Sequence, residues 1–192
     1  MDHVPVLVGY LLKRTASKPD GLVAPGAVDI CSVSGCISPA IDCNDDLWIH
    51  NALQIFNTEA DARAAIAADA DGTGADMYAY KLLPAGFDGT GETTLDIAAL
   101  PQWGEPVAAA ELPSNYECLG FDCVQTDWAR AISGFGCSPL SCNGMAAEIP
   151  VNRHCLIDRL DDAIEAARRF AKEQPEPGVY YVIEVWRKRR GG

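Results

Sequence analysis

Basic residues are scarce in this chain: 15 lysines and arginines stand against 27 aspartates and glutamates, a net charge of −12. That balance repels phosphate backbones and anionic lipid surfaces through its long-range field, so nucleic acid is not an expected partner. Long apolar runs are missing as well. The longest, residues 4–12 and 179–186, fall far short of the roughly 20 residues a membrane helix needs, and no membrane span is expected. Asp2 before the first run and Lys13-Arg14 after it do not frame a secretory signal, so that run reads as the first strand of a soluble, cytoplasmic protein. Glycine-rich phosphate loops, a Gly-x-Ser-x-Gly elbow and a recognisable pair of catalytic acids are lacking too.

What is present is the composition of an ordinary globular protein: 192 residues, 48% hydrophobic and 22% charged, enough for a sizeable core without an external staple. Against that background eight cysteines are many. An oxidising compartment would turn an even count into disulfides, whereas without a signal peptide thiols or metal ligands are expected.

Four landmarks occur twice in the same order. Val8-Gly9-Tyr10 is answered by Leu119-Gly120-Phe121, Cys31-Ser-Val-Ser-Gly-Cys36 by Cys137-Ser-Pro-Leu-Ser-Cys142, His50 by His154, and residues 77–83 by 180–186. A rival register matches Gly35-Cys36 with Gly136-Cys137, Cys43-Asn44 with Cys142-Asn143, and Asn51 with Asn152. Both imply duplication; the first keeps an identical Cys-Ser-x-x-x-Cys spacing and is adopted here.

The expected fold is α+β: two diverged copies of a strand–Cys loop–strand–helix–strand unit, related by an approximate internal two-fold. Residues 1–83 and 116–192 form the copies, and 84–115 a linker marked by Pro84, Pro101, Pro106, Pro113 and the Asp88-Gly89-Thr90-Gly91 turn. Residues 4–13 and 119–125 read as opening strands, and 47–56 and 154–157 as the second ones. Thr58 is the expected cap of the first helix, with Ala62, Ala65 and Ile66 on its apolar face. Asp158 or Asp161 would cap the second, whose stripe is Leu160, Ala163, Ile164, Ala167 and Phe170. Lys81 and Glu184 fall at equivalent positions in the closing strands.

Each cysteine pair must turn to bring its sulfurs together, which Ser-Gly and Ser-Pro favour. Three roles follow. Cys31, Cys36 and His50, with Cys137, Cys142 and His154, supply the thiolate and imidazole donors of tetrahedral zinc. Cys142 or Cys137 as nucleophile, His154 as base and Asn152 or Asp158 as orienter would serve thiol catalysis. In the third role the cysteines are small buried hydrophobes holding tight loops, with Ser32 and Ser138 bonded to local backbone. The leading reading is a non-catalytic binding module with a protein partner, reduced thiols and no cofactor; zinc- or thiol-dependent chemistry is the alternative.

The run Arg187-Lys188-Arg189-Arg190-Gly191-Gly192 resembles the tail of ubiquitin-like modifiers, in which a last strand feeds a basic stretch and a conjugated Gly-Gly. The resemblance covers those six residues and implies a tandem modifier joined through the carboxylate of Gly192.

Overall fold

The computed structural model of the chain describes residues 4–37, 50–68, 74–97, 107–108, 111–126 and 136–190. The fold is α+β, built on one antiparallel sheet. In chain order its elements are β1 (Val6–Lys13), β2 (Ala16–Ser17), β3 (Asp29–Ile30), α1 (Glu59–Ala68), β4 (Asp76–Asp88), β5 (Gly91–Thr94), β6 (Tyr116–Thr126), α2 (Pro139–Cys142), α3 (Leu160–Glu173) and β7 (Val179–Lys188). The sheet runs β1-β4-β7-β6, β5 adds to β4, and β2 pairs with β3 as a separate ribbon. Among the described residues no helix is long and apolar enough to cross a membrane.

Side chains alternate across a strand, so β4 and β7 feed two cores. Met77 and Ala79 pack with Ala62 of α1, while Leu83, Phe87, Tyr180 and Val182 pack with Ala163, Ile164, Ala167 and Phe170 of α3. The other face carries Tyr78, Tyr80, Leu82, Ile183 and Val185, covered by Cys31, Val33, Leu53, Ile55 and Leu156 from loops. Helices α1 and α3 thus lie on one face and the loop that follows β3 covers the other, while Leu140 of α2 packs into the α3 core.

The Thr58 hydroxyl caps α1, accepting from the Asp61 N–H at 3.1 Å and donating to the Asp61 carboxylate at 2.6 Å. Ala62 is fully buried, and the expected Ala65 and Ile66 lie outside the described side chains. The apolar stripe of α3 is buried as its spacing predicts, with Leu160 partly so. Its cap position is Arg159, without a side-chain bond, and not Asp158 or Asp161; Asp161 and Asp162 instead place negative charge in the first turn, where the helix dipole favours it.

The strand expected to end at Leu83 continues to Asp88, into the segment read as linker. Pro84 lacks an N–H, and a register shift between Leu82 and Gly86 accommodates it. The Asp88 carboxylate then accepts from Thr90 N, Thr90 Oγ1 and Gly91 N, closing a hairpin into β5. The expected second strands are turns in their described parts, joined to the sheet by isolated bridges at Phe56 and Ile157.

One bonding pattern recurs at the two ends of the sheet. Register shifts fall between Leu7 and Gly9 in β1 and between Cys118 and Gly120 in β6. Gly9 and Gly120 have φ of 145° and 132°, and a Cβ would stand 2.4 Å from the Phe56 carbonyl or 2.7 Å from the Ile157 carbonyl. Tyr10 exchanges two backbone bonds with Phe56, as Phe121 does with Ile157. Asn51 Nδ2 donates to Val8 O at 2.8 Å while its Oδ1 accepts from Leu53 N and Ile55 N. Asn152 Nδ2 donates to Leu119 O at 2.8 Å while its Oδ1 accepts from His154 N and Leu156 N. Gly9 pairs with Tyr80, Gly120 with Val185, and Tyr80 with Val185. These bonds set Asn51 beside Asn152 in role, and so match His154 to Leu53, not to His50. Lys81 and Glu184 are cross-strand partners, 3.7 Å apart as an ion pair.

Candidate functional site

The loop after β3 carries Cys31 at one end and Cys36 at the other, and two buried charges hold it to the sheet. Lys13, at the end of β1, is 1% exposed, and its ammonium donates to three successive carbonyls: Ser32 at 2.6 Å, Val33 at 3.1 Å and Ser34 at 2.9 Å. Asp122, fully buried on β6, accepts from Ser32 Oγ at 2.6 Å, Val33 N at 3.0 Å and Ser138 Oγ at 2.6 Å. Ser32 bonds local backbone as expected, accepting from Ser34 N at 3.0 Å, and its hydroxyl also meets that of Ser138 on one carboxylate, because each stands beside β6. Burial pushes Lys13 down to about 8, with Asp122 drawing it partly back. Burial likewise raises Asp122 above the ordinary carboxylate range, against the three donors and Lys13.

Ser138 precedes α2, whose Pro139 has no N–H to leave unpaired at a helix start. Cys142 N bonds back to Ser138 O at 2.8 Å, so the turn presents Cys137 and Cys142 together. They face Cys36. The Cys36 and Cys137 sulfurs are 3.6 Å apart, and the three sulfurs of Cys36, Cys137 and Cys142 lie within 4.8 Å of one another. Ser34 Oγ reaches Cys142 Sγ at 3.8 Å and accepts from Cys36 N at 3.3 Å. The Ser34 hydroxyl lowers the Cys36 thiol below its ordinary range against the effect of burial, while burial raises Cys137 and Cys142. Cys36 is thus the first of the three to ionise. Cys36 is exposed and the other two are partly so, which leaves the cluster open to solvent. No disulfide joins the described cysteines.

Cys31 joins a different group. Its sulfur lies 3.5 Å from Asp29 Oδ1, 3.6 Å from Tyr78 Oη and 3.8 Å from His154 Nδ1, and His154 Nδ1 is 2.6 Å from Asp29 Oδ1. The expected donor sets are therefore regrouped: Cys36 goes with Cys137 and Cys142, Cys31 with His154. His50 joins neither; its ring meets that of Phe56 at 4.7 Å in a tilted arrangement, and burial pushes it down to about 4. His154 is not set beside Cys142 or Cys137, and Asn152 and Asp158 bond each other within the turn instead of orienting the ring. Cys31 and Asp29 both approach Nδ1, whereas a thiol–imidazole–carboxylate relay needs one partner on each ring nitrogen.

The basic run is tied down. Arg187 bonds Glu117, Lys188 pairs with Glu59, Arg189 N bonds Asn115 O, and Arg190 holds Asp76 through two bonds of 3.0 Å. Gly191 and Gly192, like Cys43, lie outside the described residues.

The sequence reading missed Lys13 and Asp122. The signal for Asp122 was a lone charge inside the apolar stretch 119–124, whereas Lys13 was masked by its neighbour Arg14 at the close of the run 4–12. Comparison with protein families, with curated proteins and with solved structures finds no match for this chain.

Proposed function

We propose that this is a non-catalytic, metal-dependent binding protein in which Cys36, Cys137 and Cys142 hold one zinc ion between two copies of a duplicated unit. The convergence of three sulfurs from both cysteine loops carries the reading. A tetrahedral zinc–thiolate site with bonds of about 2.3 Å has sulfurs about 3.8 Å apart. The 3.6 Å between Cys36 and Cys137 is close to that edge and far from a bonded pair. Soft thiolates select zinc over magnesium or calcium. A site of reduced thiols suits the cytoplasm, and the shared fixation of both loops by Asp122 suits a metal that joins copies.

Duplication is supported by the matching bulges at Gly9 and Gly120 and the matching bonds of Asn51 and Asn152. In this reading the two-fold passes between Tyr80 and Val185, and the partner is a protein bound by the metal-fixed form. The tied-down basic run favours this over a conjugating tail.

Metal content of reduced, native protein tests the proposal. One equivalent of zinc is expected at this cluster, lost in each of Cys36→Ser, Cys137→Ser and Cys142→Ser, and replaceable by cobalt with intense thiolate-to-metal absorption. Wild type without affinity for either ion, or unchanged stoichiometry in those variants, would refute it.

A further inference from the structure

We infer that Asp29, Cys31 and His154 form a second metal site, a mixed oxygen, sulfur and nitrogen set that takes one divalent transition cation and keeps a coordination position open. It stands apart from the three-thiolate cluster and shares no residue with it.

The donors come from two segments that backbone bonds lock together. Val28 N and Asp29 N both donate to Arg153 O, and Cys31 N donates to His154 O at 3.1 Å. Asp29 is further fixed opposite Ser17 in the β2–β3 ribbon, and His154 N is held by Asn152 Oδ1 at 2.8 Å. The three side chains are therefore aimed at one point by their own backbones, the preorganisation that a metal site needs.

Their separations suit an ion. Sulfur lies 3.5 Å from the carboxylate oxygen and 3.8 Å from the ring nitrogen, near the edges of a tetrahedron around zinc or cobalt. The remaining edge, 2.6 Å from Asp29 Oδ1 to His154 Nδ1, is now a hydrogen bond. An ion in its place spreads those two atoms to about 3.3 Å, and the ring proton moves to Nε2. Cys31 binds as thiolate and releases its proton to water. The Tyr78 hydroxyl, 3.6 Å from the sulfur, is placed to donate to it and is held from behind by Thr15 Oγ1 at 3.0 Å.

A cysteine that merely filled space would have no use for a carboxylate and an imidazole within 4 Å of its sulfur. Access is there as well: the Asp29 and His154 side chains keep 15% and 13% of their surface exposed above the buried thiol. Three protein donors leave the fourth position to water or to a small exogenous ligand. The donor set suits zinc, cobalt or ferrous iron and disfavours calcium and magnesium.

Cobalt titration of the full chain, stripped of metal under reductant, tests the inference. Two equivalents are expected, the second with a single-thiolate charge-transfer band and one strongly shifted, exchangeable imidazole proton from Nε2 in the paramagnetic NMR spectrum. Asp29→Asn/His154→Gln should abolish that proton and one equivalent while keeping the sulfur-rich spectrum. Cys137→Ser/Cys142→Ser should do the reverse. No shifted imidazole proton in the wild type, or both equivalents retained in the Asp29→Asn/His154→Gln protein, overturns the second site. Loss of nothing in Cys137→Ser/Cys142→Ser would defeat the first proposal alone. Circular dichroism shows whether each variant folds, and the wild-type NMR signal decides the matter if one does not.

Discussion

Lys13 carries a charge into a place where it is 1% exposed, and the three carbonyls it reaches belong to one cysteine loop. Burying a charge costs several kcal/mol unless partners repay it, so this lysine and Asp122 form a unit. Asp122→Ala leaves Ser32 Oγ, Val33 N and Ser138 Oγ without an acceptor and Lys13 without a counter-charge. Urea unfolding should show a loss of about 3–5 kcal/mol. The lysine also predicts a pH effect. Its folded value of about 8 lies below the ordinary 10.5, so its contribution to stability is full above 10.5 and is lost as pH falls through 8. In chelator and reductant, wild type should gain on Lys13→Met by up to about 3 kcal/mol between pH 8 and 10.5. A flat difference would mean that the ammonium is solvated. Cys31, Cys36, Cys137, Cys142 and His154 were legible as donors in the sequence, but Asp29 was not, and the grouping of the donors was hidden. Which thiol meets which depends on Asp122 drawing Ser32 and Ser138 together across the fold, a contact that no local spacing records.

At the scale of elements, α3 and the long strands were legible because burial follows pattern: the α3 stripe marks the face that meets the core, and the near-continuous apolar run of β4 marks a strand buried on both faces. Ile164→Ala should accordingly cost about 2–5 kcal/mol in thermal or urea unfolding. The Val8-Gly9-Tyr10 and Leu119-Gly120-Phe121 matches were legible for another reason, since a bulge that needs positive φ and close backbone approach leaves few residues but glycine. Gly9→Ala and Gly120→Ala should each destabilise by about 1–3 kcal/mol and by similar amounts, because each Cβ meets a carbonyl oxygen. Unequal costs would count against equivalence of the two ends. The continuation of β4 through Pro84 was not legible: proline argues against a strand unless a register shift absorbs it, and that shift depends on the partner strand β7.

For the whole molecule, the proposed zinc, joining the loop of Cys36 to that of Cys137 and Cys142, would tie global stability to free-metal concentration. At a hundredfold excess over the dissociation constant one bound ion adds about 2.7 kcal/mol. Chelation should therefore lower the melting temperature by about 5–10 °C, and zinc should restore it. The order of the sheet has a further consequence, in the time course of synthesis. β7 lies between β4 and β6 although it is translated after both. Until residues 179–188 leave the ribosome, β4 and β6 have no strand to connect them, and each presents an open edge to the crowded surroundings of a nascent chain. The nascent chain's need for chaperone cover should thus persist until β7 emerges, and ribosome-bound chains exposing residues only up to 178 should be far more sensitive to protease than those exposing residues through 188 on an added linker.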